Sequence, residues 1–262
     1  MYTALRTDIA PRTDAAPCKI WDAAPKTACF ADMATGRPAL YDTEASLLWD
    51  NEFLYIRFWV EEPYPVATQT QRDSLIFKEN DVEVFIDGGD CYYEFEISAL
   101  GTVYEVFFIW RDAFGRGTRF DVPEFDLYDR EAYTFGGNYD RTNDHFWRGT
   151  HPRGVRWAFL DWDFPGLIAA TRVIGTLNDP SVRSEGWVAD IALPWSGMTH
   201  LANGRSLPPQ NGDEWNIFLG RFQIVNIGDK QEQAGWCENP HGVYDTHMPE
   251  KFSRVRFSTE AL

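Results

Sequence analysis

The chain has 262 residues, enough for one large β domain, and its 44 % hydrophobic and 16 % aromatic content carries far more ring surface than a disordered polymer. A formal net charge of −16 repels phosphate backbones and anionic lipid headgroups, which argues against nucleic acid and membrane surfaces as partners. A neutral glycan or a cation such as calcium meets no penalty from that field, and acidity also serves solubility.

From Met1 to Lys19 charges alternate with no apolar block, so neither a signal peptide nor a membrane span is predicted. The chain as it stands is expected in the cytoplasm, or outside the cell if a leader has been removed. Strict alternation begins at Leu54–Val60, where Leu54, Ile56, Phe58 and Val60 share one face and Tyr55, Arg57 and Trp59 the other. The same period predicts strands at Asp81–Asp87, Tyr92–Ser98 and Val103–Ile109. It resumes at Ile168–Ile174, Gly186–Leu193, Trp215–Gln223 and Ser253–Phe257. Polar turns separate these runs, as at Gly88-Gly89-Asp90 and Leu177-Asn178-Asp179-Pro180. Short helices are expected only around Pro194–Leu201 and Pro249–Phe252.

Many short strands with little helical periodicity predict an all-β fold, an antiparallel sandwich of immunoglobulin-like or jelly-roll-like type. One domain over residues 1–262 is expected, interrupted by an insertion at about 111–165 where periodicity fails. That insertion is rich in rings, among them Phe120, Tyr128, Tyr133, Phe146, Trp147, Trp157 and Trp162. Ring content argues against disorder, so it should fold back over the sandwich, its aromatics more often closing a satellite core than touching a ligand.

Cys18, Cys29, Cys91 and Cys237 form no C-x-x-C pair and have no zinc-finger histidine spacing, which argues against a structural zinc site. His145, His151, His200, His241 and His247 are too dispersed to suggest a metal centre. There is no Gly-x-Ser-x-Gly elbow, phosphate loop or dinucleotide fingerprint.

Several stretches together resemble family 9 carbohydrate-binding modules and their free-standing, DOMON-like relatives. They are Asp73–Val106 (DSLIFKENDVEVFIDGGDCYYEFEISALGTVYEV), GTLNDP from Gly175, GWVADIALPW from Gly186, GDEWNIFLGRF from Gly212 and HMPEKF from His247, in the order of that family. WDAAP at Trp21 and LLWDNEFLYIRFWVEEP from Leu47 look like its first strands. The resemblance implies a β-sandwich that binds sugar on one open sheet face, often with calcium fixing the loops. It places Glu83 where the family has a sugar-contacting glutamate and Phe77 where it has one of two sandwiching tryptophans. The second tryptophan falls near Thr246, with Tyr244 the nearest ring, and a sugar-binding arginine falls on Glu96, reversing its charge.

Strand parity agrees about the face. Glu83 and Phe85, Glu94 and Glu96, and Asn216, Phe218 and Phe222 point away from the core, a mixture of acids and rings that suits a pyranose. Arg221 shares parity with Trp215, Ile217 and Leu219 and needs either an internal carboxylate or a ligand as partner. The expected ligand-binding residues are therefore Phe77, Glu83, Glu96, Phe218, Arg221, Tyr244 and His247, with no catalytic residue. Asp87 and Asp90 offer hard oxygens to calcium, although an ordinary acidic turn explains them as well. Two other functions fit the same residues: a glycoside-cleaving enzyme using paired carboxylates among Glu83, Glu94 and Glu96, or a partner-binding sandwich that has lost its sugar site.

Overall fold

Where apolar and polar side chains alternate in the sequence, the chain is extended and paired. The structure, a computed structural model, describes residues 1–136 and 151–262, so His145, Phe146 and Trp147 lie outside the described residues. Its strands are β1 (Tyr2–Arg6), β2 (Ala31–Asp32), β3 (Thr43–Trp49), β4 (Phe53–Glu61), β5 (Asp81–Asp87), β6 (Cys91–Ser98) and β7 (Val103–Trp110). They continue with β8 (Ala132–Phe135), β9 (Arg156–Phe159), β10 (Ile168–Ile174), β11 (Gly186–Pro194), β12 (Glu214–Ile227), β13 (Lys230–Cys237) and β14 (Ser253–Ala261).

These strands join in one connected sheet in the order β10-β11-β4-β3-β1-β14-β12-β5-β6-β7-β9-β8, with β13 pairing β12 and β2. The sheet folds on itself into a sandwich, so that Ile56, Phe58, Trp187 and Ile191 of one layer share a core with Val84, Phe95, Phe107 and Leu219 of the other. Pairing is antiparallel except at β1, which runs parallel to both β14 and β3. The sandwich expected from sequence is thus present with a mixed rather than purely antiparallel sheet.

Helical structure is confined to short pieces. α1 (Lys19–Ala23) brings Trp21 against the outside of β4, and α2 (Thr199–Ala202) follows a 3-10 turn at Trp195–Met198 in the region expected to be helical. No helix among the described residues is long and apolar enough to cross a membrane.

The insertion does fold back. Its β9 pairs with β7 and its β8 with β9, which extends the sheet beyond β7. Phe120, Phe125 and Trp162 join the main core, while Tyr133 and Phe135 turn to the outer face of the sheet. Phe120, Phe125 and Trp162 thus close the main core and not the satellite core expected from sequence.

Candidate functional site

The outer face of β5, β6 and β7 forms the floor of a cleft of about 450 Å³. Register builds that floor in rows across the sheet. Gly220, Glu83, Glu96 and Tyr104 stand opposite one another in one row, and Phe218, Phe85, Glu94 and Val106 in the next. Because a strand alternates faces, Val82, Val84, Tyr93, Phe95 and Ile97 go to the core and leave the acids on the other side.

Three structures wall the floor. Phe77, on a 3-10 turn at Ile76–Lys78, lies edge-on to Tyr104 at 5.6 Å. Across from the sheet edge, Tyr133, Thr134 and Phe135 of β8 close another side. The segment before the last strand contributes Tyr244, Asp245, Thr246 and His247. Gln233 at the β12–β13 hairpin ties two of these walls together, since its side-chain amide donates to the Phe77 carbonyl and its own carbonyl accepts from the Tyr244 hydroxyl at 3.2 Å.

A glycine makes this wall possible. A Cβ on Gly235 would lie 2.8 Å from both the Phe222 and the Tyr244 rings, which meet edge to face at 5.7 Å. Any side chain there would force one of the two rings from the cleft.

The walls change the character of the face. Sequence parity predicts an open patch, yet Glu83 is 3 % and Glu96 1 % exposed, because β8 and the 244–247 segment rise around them. Burial holds both carboxyls, and that of Asp81 beside them, well above the usual carboxylate range, with mutual repulsion adding to the effect. Glu94 is raised to about 8, chiefly by burial, against a hydrogen bond with Glu96 and the charge of Arg156 that pull it down. Asp245 is raised to about 6 by burial, although its Oδ1 accepts the His247 backbone N–H at 2.9 Å.

His247 is held in a chain of polar contacts that runs through Tyr92 to Arg156. Arg156 can only donate, and its Nη1 donates to the Tyr92 hydroxyl at 3.1 Å. The Tyr92 hydroxyl lies 3.1 Å from His247 Nδ1, and the other ring nitrogen, Nε2, lies 3.9 Å from Glu94 Oε1. Burial and the Arg156 charge push the His247 pKa well down, so the ring is neutral. Arg156 itself is fully buried, over the Trp110 ring at 4.4 Å.

Phe77, Glu83, Glu96, Tyr244 and His247, expected from sequence to meet a ligand, all line this one cleft. Two others do not. Phe218 has the right parity, but it packs on Phe85 at 5.5 Å and is covered by Phe252 and His241 at 5.8 and 5.2 Å, so it is a buried ring outside the lining. Arg221 lies on the inner face, fully buried, where it donates to Thr43 and Gln223 and sits 3.7 Å from Glu62. Its role is an internal partner, the first of the two uses its parity allowed.

Asp87 and Asp90 lie on the β5–β6 hairpin, away from the cleft lining. Asp87 accepts from Gly89 N–H at 2.7 Å and from the Asn216 side chain at 3.2 Å, and Asp90 pairs with Arg153 at 3.0 Å. Sequence reading missed Asp81, Tyr104, Phe108, Phe222 and Asp245, and left Glu94 outside the binding set. Parity on β5, β6 and β7 marks Asp81, Glu94, Tyr104 and Phe108 as neighbours of Glu83 and Glu96, whereas nothing local in the sequence marks Asp245.

Fold and cleft together define a β-sandwich with a recessed site on the outer face of one layer. Solved structures share this architecture over nearly the whole chain. A family 9 carbohydrate-binding module from Caldicellulosiruptor kristjanssonii in complex with glucose aligns over 98 % of this chain and 96 % of its own, with TM-score 0.54 and 10 % identity. The complex with cellotriose aligns over 98 % and 94 %, with TM-score 0.53 and 10 % identity. A protein from Bacteroides uniformis, provisionally described as carbohydrate-binding, covers 98 % of both chains at TM-score 0.53 and 12 % identity. The fold is therefore that of the family 9 modules. No protein-family model matches the sequence, and no curated protein matches it.

Proposed function

We propose that this protein binds a mono- or oligosaccharide in the cleft and does not cleave it. The observation that carries the reading is the pairing of Glu83 with Glu96 on the floor beneath the rings of Phe77, Tyr104, Phe222 and Tyr244. A pyranose has apolar C–H faces that lie on rings and hydroxyls that bond to carboxyls and a neutral imidazole, and this cleft supplies both. About 450 Å³ falls toward the lower part of the ~300–1,000 Å³ range of small-molecule sites, which suits one sugar or the end of a short chain. The two sugar complexes among structures of the same fold support the reading from a second direction.

Calorimetric titration with glucose and cellotriose, followed by chromatography of the mixtures, tests it. Heat of binding with the sugar recovered intact is the expected result, and released product would make the protein an enzyme. Tyr244→Ala should weaken affinity roughly tenfold, about 1.4 kcal/mol, with an unchanged circular dichroism spectrum. Affinity equal to the unsubstituted protein would remove the cleft from sugar binding.

A further inference from the structure

We infer that Asp81, Glu83 and Glu96 form a binding site for a hard divalent cation of the calcium type, where Glu83 and Glu96 line the cleft floor and Asp81 stands beside them. One carboxylate oxygen from each residue lies within 4.8 Å of the other two. Oxygens that share one calcium at about 2.4 Å stand no more than about 4.8 Å apart, so the three can reach a common ion. All three side chains are at least nine-tenths buried.

What distinguishes this group from an ordinary acidic patch is that each of its carboxyls keeps a bare oxygen. Asp81 Oδ2, Glu83 Oε2 and Glu96 Oε2 are buried with no hydrogen-bond partner among the described residues. No Lys, Arg or His forms an ion pair with any of the three among those residues, although the chain has 24 Lys and Arg to place. Buried polar atoms are rarely left bare, and a buried charge without a partner costs several kcal/mol. Protonation would neutralise each acid, and Glu94 can accept the hydrogen of Glu96, but the bare oxygens of Asp81 and Glu83 would stay without a partner. A divalent ion satisfies charge and bare oxygens together, and donors that are all oxygen select calcium, magnesium or manganese over zinc or copper.

The site is distinct from the Asp87–Asp90 hairpin and does not depend on a sugar. The test is therefore run without one. Calcium is titrated by calorimetry into chelator-treated protein, beside a Glu83→Gln/Glu96→Gln variant and an Asp87→Asn/Asp90→Asn variant. Binding near one ion per chain is expected, with a melting-temperature rise of roughly 5–10 °C at a hundredfold excess over Kd. The cleft variant should lose at least tenfold in affinity and the hairpin variant should keep it. Calcium binding that survives in the cleft variant, or is lost in the hairpin variant, overturns the assignment. So does the absence of binding to calcium, magnesium or manganese at millimolar concentration. Should the double variant fail the circular dichroism check, Glu96→Gln alone serves. Sugar titrations stand apart, so either reading can fail without the other.

Discussion

Two cross-strand pairs, one on each layer, are built alike and matched oppositely. On β4 and β11, Arg57 faces Asp190 in register, and on β5 and β6, Glu83 faces Glu96. Both pairs are buried on the outer faces of their layers. Arg57 makes two bonds to Asp190, at 2.6 and 2.7 Å, and donates to the Ala16 carbonyl, while the Ala15 N–H completes the carboxylate. Glu83 and Glu96 face each other as like acids, whose ionised forms repel across the sheet unless something else enters it. The lesson is that this chain can satisfy a buried charge fully where the charge only holds structure. Its failure to do so in the cleft marks the cleft as the place where a partner from outside is expected.

The largest effect that separates the two pairs is on stability. Asp190→Asn leaves Arg57 buried and uncompensated and should cost about 3–5 kcal/mol in urea denaturation. Glu83→Gln, in chelator at neutral pH, should leave stability unchanged or raised, since it removes a buried acid whose Oε2 has no partner to lose. A large loss in the cleft variant would mean that its charges are answered within the protein after all.

A pH series sharpens the contrast next. Glu94 and Asp245 have folded-state pKa values of about 8 and about 6, above their ordinary values of 4.5 and 3.8. Each favours folding while protonated, below its ordinary value, and that advantage disappears as pH rises through the folded value. The melting temperature of the chelator-treated protein should therefore fall between about pH 4 and 8, and Glu94→Gln should flatten the slope above pH 6. A melting temperature that climbs over this window contradicts the burial of these acids.

The smallest effect belongs to the hairpin. Asp90 is partly exposed and paired to Arg153 at the surface, so Asp90→Asn should change stability by about 0.5 kcal/mol or less. A change of several kcal/mol would give that turn a weight comparable to the buried pair.

Much of this arrangement is legible in the chain because side-chain alternation is local. Asp81–Asp87 and Ile168–Ile174 are strands with the bounds their alternation predicts, and the face that holds Glu83 and Glu96 follows from parity alone. Strands without that pattern are hidden. Lys230–Cys237 begins with exposed polar residues at the tip of a hairpin, and Ala132–Phe135 and Arg156–Phe159 are four residues each, too short for a period to show.

The site is half legible for a related reason. Parity tells which way Phe218 points, but not that Phe252 and His241 cover it, and it tells that Glu83 leaves the core without telling that β8 rises beside it. Covering is a long-range event decided by where the insertion and the 241–252 segment land. Glu83, Glu96, Phe77, Tyr244 and His247 survive because the same cover that buries Phe218 leaves a gap over them.

The origin of the two parts of the cleft has a practical consequence. Its acidic floor is drawn from β5 and β6, strands sealed into the sandwich core, whereas Tyr133, Thr134 and Phe135 come from a segment attached at the sheet's end. Exchanging that segment by loop grafting would reshape what the cavity admits while the chemistry at its base stays fixed. Selectivity and chemistry are therefore separate handles for redesign.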